Sequence, residues 1–249
     1  VPRVLTLVSG IFLALIATAE TLNVATATNF RNTLTTIAEG FESGSGHRLK
    51  ISSASTGVIY SQLLHGAPYD VFLAADAERP RLLEERGLTV AGSRFTYARG
   101  ELVLAVAPGP GGGPGGGPDA GLAALLAAPG LTIAIANPDH APYGRAAAAV
   151  LEHYPVAADA RLLRAANVGQ AYQMWYSGGA ELALVASSLA PATFLRIPRQ
   201  IYKPIEQQAV VLNRAATNPA ATAFSRFLRS ERARRIMLAD GYAPGPALE

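Results

Sequence analysis

The chain of 249 residues contains no cysteine, which excludes a disulfide framework and every form of thiolate chemistry. Histidine is scarce, with four residues scattered at His47, His65, His140 and His153, so a transition-metal cation site has little material. Charged residues make up 16% of the chain and the net charge is +3, too small a bias to draw it to nucleic acid or an acidic membrane surface. Three catalytic signatures are missing: the Gly-x-Ser-x-Gly elbow, the His-Glu-x-x-His helix and the P-loop. Asp70 and Asp76 are available as an acid–base pair, but one follows a turn and the other ends a strand, both ordinary places for a capping carboxylate. Pro108 to Pro118, PGPGGGPGGGP, lacks the Lys-Ser/Thr pair of a phosphate cradle and is interrupted by proline, so it reads as a disordered surface loop.

What the chain does have begins with VPRVLTLVSGIFLALIATA at 1–19: one basic residue, an apolar run and a small-x-small ending. This pattern is that of a secretory signal peptide, with a retained membrane anchor as the other reading. About 230 residues follow, half of the chain is hydrophobic, and the apolar segments alternate between strand-like and helix-like periods. Such alternation predicts an α/β fold with mixed sheets flanked by helices, where ligands sit beyond the carboxyl ends of strands. The C-terminal arginines Arg226, Arg229, Arg232, Arg234 and Arg235 are spread around two helices with Glu231 among them, and read as a solvated outer face.

Four strand-to-helix turns stand out. In LNVATATNFRNTLTTIA at 22–38, a short buried strand breaks at Thr28 and Asn29 and a helix begins, expected to end near Glu42. Ser52 to Gly57, SSASTG, is a second hydroxyl-rich turn before a helix over 57–65; Asn137 to Arg145, NPDHAPYGR, is a rigid third turn before an Ala-rich helix from Arg145; Asn167-Val168-Gly169-Gln170 is the fourth. Two readings of each remain open. The polar residues can be ordinary caps, or the free N–H groups and positive dipole end of each helix can form an anion site. If the four, at Thr28-Asn29, Ser55-Thr56, Tyr143-Gly144 and Asn167-Val168, converge, they make a cage of neutral donors with no Lys or Arg in the turn core. Such a cage suits a fully deprotonated oxyanion, which needs a donor on every oxygen.

The segments VATATNF (24–30), SSASTG (52–57), GAPYDVFLAAD (66–76), ANPDHAPYG (136–144), NVGQA (167–171), AELALVASS (180–188) and YKPIEQQAVVL (202–212) together resemble the periplasmic molybdate-binding proteins of ABC importers, in order and over nearly all of the chain after residue 19. The resemblance implies a two-lobed Venus-flytrap fold that closes on molybdate or tungstate and delivers it to a membrane permease. It implies a periplasmic monomer with no cofactor, whose metal arrives as an oxyanion rather than as a cation. By motif, the ligand residues are Thr28, Asn29, Thr56 with Ser55 beside it, Tyr143, and Val168 through its main-chain N–H. Some members carry a tyrosine where this chain has Ala186, so Ala186 is placed outside the site and Tyr143 is expected to supply the phenol.

The chain has to leave and re-enter the first lobe, which predicts lobe one over 20–98 and 206–249 and lobe two over 99–205. Sulfate has the same charge and shape as molybdate and is the rival ligand, separable only by cavity size. Phosphate carries a proton at neutral pH and calls for a carboxylate acceptor that the turns lack. An exported α/β enzyme is the alternative of a different class.

Overall fold

The computed structural model describes residues 19–106, 118–190 and 194–243. The expected signal peptide and the Pro/Gly loop lie outside the described residues, apart from their last positions. The chain forms two five-stranded sheets on one plan. The first runs β2 (Arg48–Ala54), β1 (Thr21–Ala27), β3 (Val71–Ala74), β10 (Ile205–Val211), β4 (Phe95–Gly100). The second runs β7 (Arg161–Ala165), β6 (Thr132–Ala136), β8 (Leu182–Ala186), β5 (Leu102–Val106), β9 (Phe194–Arg196). In each, three parallel strands are followed by one antiparallel to its neighbours, β10 in the first sheet and β5 in the second. The sheets are joined twice: β4 meets β5 across Glu101 alone, and the chain returns between β9 and β10.

Burial accounts for the strand sequences. β3 and β8, VFLA and LALVA, are buried along their whole length, as strands covered on both faces must be. Helices α1 (Arg31–Ser45), α2 (Thr56–Leu64), α3 (Glu78–Glu85), α7 (Pro219–Leu228) and α8 (Glu231–Ala239) cover the first sheet. α4 (Pro118–Leu126), α5 (Pro142–His153) and α6 (Val168–Tyr176) cover the second. Phe30, Leu34, Ile37, Phe41 and Phe224 form one core under α1 and α7, while Val103, Leu104, Ile133, Leu184 and Trp175 belong to the core of the other lobe. Ala27 and Ala75 of the first lobe pack into this second core, so the lobes are in apolar contact.

Several boundaries differ from those read in the sequence. The first helix opens as a 3-10 turn over Thr28–Phe30 and runs to Ser45 rather than Glu42, because the left-handed residue that ends it is Gly46 (φ 74°). α2 begins at Thr56, one residue early. α5 begins at Pro142 and not at Arg145, since proline at the first helical position gives up no intrahelical bond. Strands β4 and β9 were not read as strands at all. Among the described residues no helix is long and apolar enough to cross a membrane.

Candidate functional site

The four turns are the carboxyl ends of four parallel strands: β1 and β2 in one lobe, β6 and β7 in the other. They meet at a cavity lined by Ala27, Thr28, Asn29, Ser55, Thr56, Ala75, Ala141, Pro142, Tyr143, Asn167 and Val168. Each of the six residues singled out in the sequence lies on this wall, and no charged side chain does. The enclosed space is about 10 Å³, room for roughly one water-sized sphere, far below the roughly 300–1,000 Å³ of pockets for drug-sized molecules. A larger and more open hollow lies elsewhere, between Val90–Ser93 and α7. It holds no orphaned polar group and is remote from the four turns.

Helix starts at the first three turns have no side-chain cap. The residues preceding them, Ala27, Ser55 and Ala141, accept no hydrogen bond through a side chain. The capping reading is therefore lost there, and it holds at the fourth turn, where Asn167 Oδ1 accepts from Gln170 N–H at 3.0 Å. Uncapped first-turn N–H groups carry the positive end of the helix dipole into the cavity.

Hydroxyl bookkeeping is more decisive. Thr28 Oγ1 and Ser55 Oγ are buried with no hydrogen-bond partner at all. Thr56 Oγ1 accepts from Ala75 N–H at 3.0 Å, and Tyr143 Oη accepts from Gln207 Nε2 at 3.1 Å, so both keep their own proton to give. Leaving buried hydroxyls unpaired costs about 1–3 kcal/mol each, a cost that an acceptor-rich ligand would remove. Burial pushes the Tyr143 phenol well above its ordinary 10.0; Tyr242 and Tyr202 add to the rise and the Gln207 bond opposes it. The phenol therefore remains a donor throughout the neutral range.

Asn29 is buried and on the wall, but both protons of its amide are engaged within the protein, at Gln207 Oε1 (3.0 Å) and Tyr242 Oη (3.1 Å). What it has for a ligand is its main-chain N–H. Ala186 is buried at the end of β8 and does not line the cavity. His140 is exposed, and its carbonyl accepts from Gly57 N–H at 2.8 Å across the lobes. Asp70 accepts from the main chain and side chain of Asn23 and pairs with Arg214; Asp76 pairs with Arg79 and, at 2.9 Å, with Arg145 of the other lobe. Each has structural partners of its own. The terminal arginines are partly engaged too: Arg229 stacks on Phe95, and Arg234 pairs with Glu231.

The sequence reading missed the layer behind the cavity, namely Gln207, Tyr97, Tyr242 and Gly100. A Cβ on Gly100 would collide with the Tyr143 hydroxyl and lie 2.7 Å from Gln207 Nε2, so only glycine leaves room for their hydrogen bond. Gln207 is fully buried in β10, IEQQAVV, but its chain neighbours Glu206 and Gln208 are polar as well, so the sequence did not set it apart.

The profile of the bacterial extracellular solute-binding proteins matches residues 22–243. The chain belongs to that family. Within it, the molybdate-binding protein ModA of Azotobacter vinelandii is 41% identical over 239 residues, covering 92% of each chain. ModA of Rhodobacter capsulatus is 37% identical over 244 residues, covering 96% of this chain and 93% of its own. The solved periplasmic molybdate-binding protein of A. vinelandii superposes with a TM-score of 0.79 at 36% identity, over 90% of this chain and 99% of that one. The sulfate-binding protein SubI of Mycobacterium tuberculosis H37Rv superposes at 0.72 over 91% and 88%, but at 13% identity it speaks for the shared fold alone. As a solute-binding protein with these ModA relatives, the chain is a binding protein and not an enzyme.

Proposed function

We propose that this solute-binding protein captures molybdate or tungstate in the cavity between its lobes, in the periplasm, and hands it as a monomer to the membrane permease of an ABC importer. The observation that carries the reading is a wall of donors: hydroxyl protons of Thr28, Ser55, Thr56 and Tyr143 without an acceptor, beside uncapped helix starts and no charged side chain. Asn29 and Val168 contribute main-chain N–H groups. A dianion costs several kcal/mol to desolvate, and charge-assisted bonds of about 1.5–3 kcal/mol each offset that cost. The identities to the ModA proteins favour molybdate among the oxyanions this chemistry accepts.

The lobes we assign are 20–100 with 205–243, and 101–204, one or two residues from the expected boundaries, because β4 runs to Gly100 and β10 starts at Ile205. The two joints between the sheets support this division, and the last pairing of the first sheet, Ile205 with Gly100, lies at them. Calorimetric titration of the chain from residue 20 with molybdate, tungstate, sulfate and phosphate tests the reading. Tight binding of molybdate and tungstate is expected. Preference for sulfate would replace the ligand, and binding of none would end the oxyanion reading.

A further inference from the structure

The hydrogen bonds behind the cavity fix which way each polar group points. Tyr242 Oη lies 2.9 Å from the Asn29 carbonyl, which has no proton, so Tyr242 donates there and accepts from Asn29 Nδ2 at 3.1 Å. The second proton of that amide goes to Gln207 Oε1 at 3.0 Å, an oxygen that the Tyr97 hydroxyl also reaches at 3.0 Å. With Oε1 fixed on that side, Gln207 Nε2 faces Tyr143 Oη at 3.1 Å and donates to it. The chain of donors begins at the Asn29 amide in lobe one, crosses to lobe two through Gln207, and ends at the Tyr143 proton, which has no acceptor among the described residues. Gln207 is fully buried, and Asn29, Tyr97, Tyr143 and Tyr242 are nearly so, so water does not compete with this order.

We propose that Gln207 is a positioning residue for ligand capture: by donating across the lobes to Tyr143 Oη it takes up that oxygen's lone pair and turns the phenol proton toward the oxyanion. The inference rests on the oxyanion reading above. It makes lobe closure and donor alignment one event, because the Gln207–Tyr143 bond forms only when β10 of one lobe meets α5 of the other. Gly100 is the opening that lets the two side chains touch. The titratable groups facing Gln207 are Tyr97 from β4, Tyr143 from α5 and, through Asn29, Tyr242, with Asp76 beyond Tyr97. Burial raises all three phenols, leaving them neutral donors.

Two substitutions separate this role from mere packing. Gln207→Leu removes the donor, and molybdate affinity measured by calorimetry is expected to fall about tenfold, the loss of one oriented hydrogen bond. In a Tyr143→Phe background the same change is expected to cost less than about twofold, because the hydroxyl it acts through is gone. Gln207→Glu keeps the shape and an oxygen facing Asn29 and Tyr97, but its second oxygen accepts from Tyr143 instead of donating. Molybdate affinity should then fall about 100-fold at pH 8 and recover as the buried carboxyl gains its proton toward pH 6, while the parent chain stays flat. Equal losses from Gln207→Leu in both backgrounds, or a pH-flat Gln207→Glu, would overturn the proposal. Should Gln207→Leu fail to fold by circular dichroism, the pH profile of Gln207→Glu decides alone. A parent chain that takes sulfate and not molybdate corrects the ligand, and the same cycle run with sulfate still decides the role of Gln207. Binding of no oxyanion removes both readings together.

Discussion

A hydroxyl that accepts from the protein and has no acceptor of its own is a donor held ready, and Tyr143 is the largest such group on the cavity wall. Replacing it with phenylalanine keeps the ring in its buried seat and removes one charge-assisted bond. Tyr143→Phe is therefore expected to weaken molybdate binding by about 1.5–3 kcal/mol, roughly 10- to 150-fold in calorimetric titration. An unchanged affinity in a folded variant would leave Tyr143 a packing residue only. Gly100→Ala tests the same hydroxyl from behind, since its methyl would occupy the place of the Tyr143 oxygen. The ring is buried on every side and has little room to yield, so the variant should bind at least as poorly as Tyr143→Phe and lose about 1–3 kcal/mol of stability in urea unfolding.

At the scale of elements, the site is made by helix starts brought against one another. The N-terminus of α6 approaches the 3-10 turn of the opposite lobe so closely that a Cβ on Gly169 would collide with Thr28 Cγ2. Gly169→Ala should hold the lobes apart, lowering molybdate affinity roughly tenfold or more while changing the unliganded melting temperature little. An affinity equal to that of the parent would show that the lobes close without this contact. These elements were legible to different degrees. The strand-to-helix turns could be read because hydroxyls and amides interrupt apolar runs at fixed points. The start of α5 was read three residues late, since Ala141-Pro142-Tyr143 looks like a turn until Pro142 is seen as the first helical residue. β9 was invisible because three residues, FLR, carry no period, and only pairing with β5 makes them a strand.

For the whole molecule the pH behaviour follows from the phenols. Molybdate affinity should change little from about pH 6 to about pH 9, because no charged or imidazole group lines the cavity and Tyr143 stays neutral. A steep loss inside that window, seen by titration at several pH values, would point to a histidine instead. Stability has its own limit. Tyr97, Tyr143 and Tyr242 are raised in the folded state above the ordinary 10.0 they regain on unfolding. Below about pH 10 both states keep these protons and the contribution to stability is constant. Above it the unfolded chain releases them first, so the urea midpoint should fall steadily as pH climbs toward the raised values. A midpoint that is flat to pH 11 would contradict that burial. By itself the sequence determined the α/β class, the turns that bear donors and the want of any charged partner among them, because these depend on local periodicity and residue type. Only the tertiary structure decided which donors keep a proton for a ligand. Whether Asn29 gives its amide to the cavity or to Gln207, and whether Tyr143 donates or accepts, depends on partners 178 and 64 residues away, brought there by the return of the chain through β10.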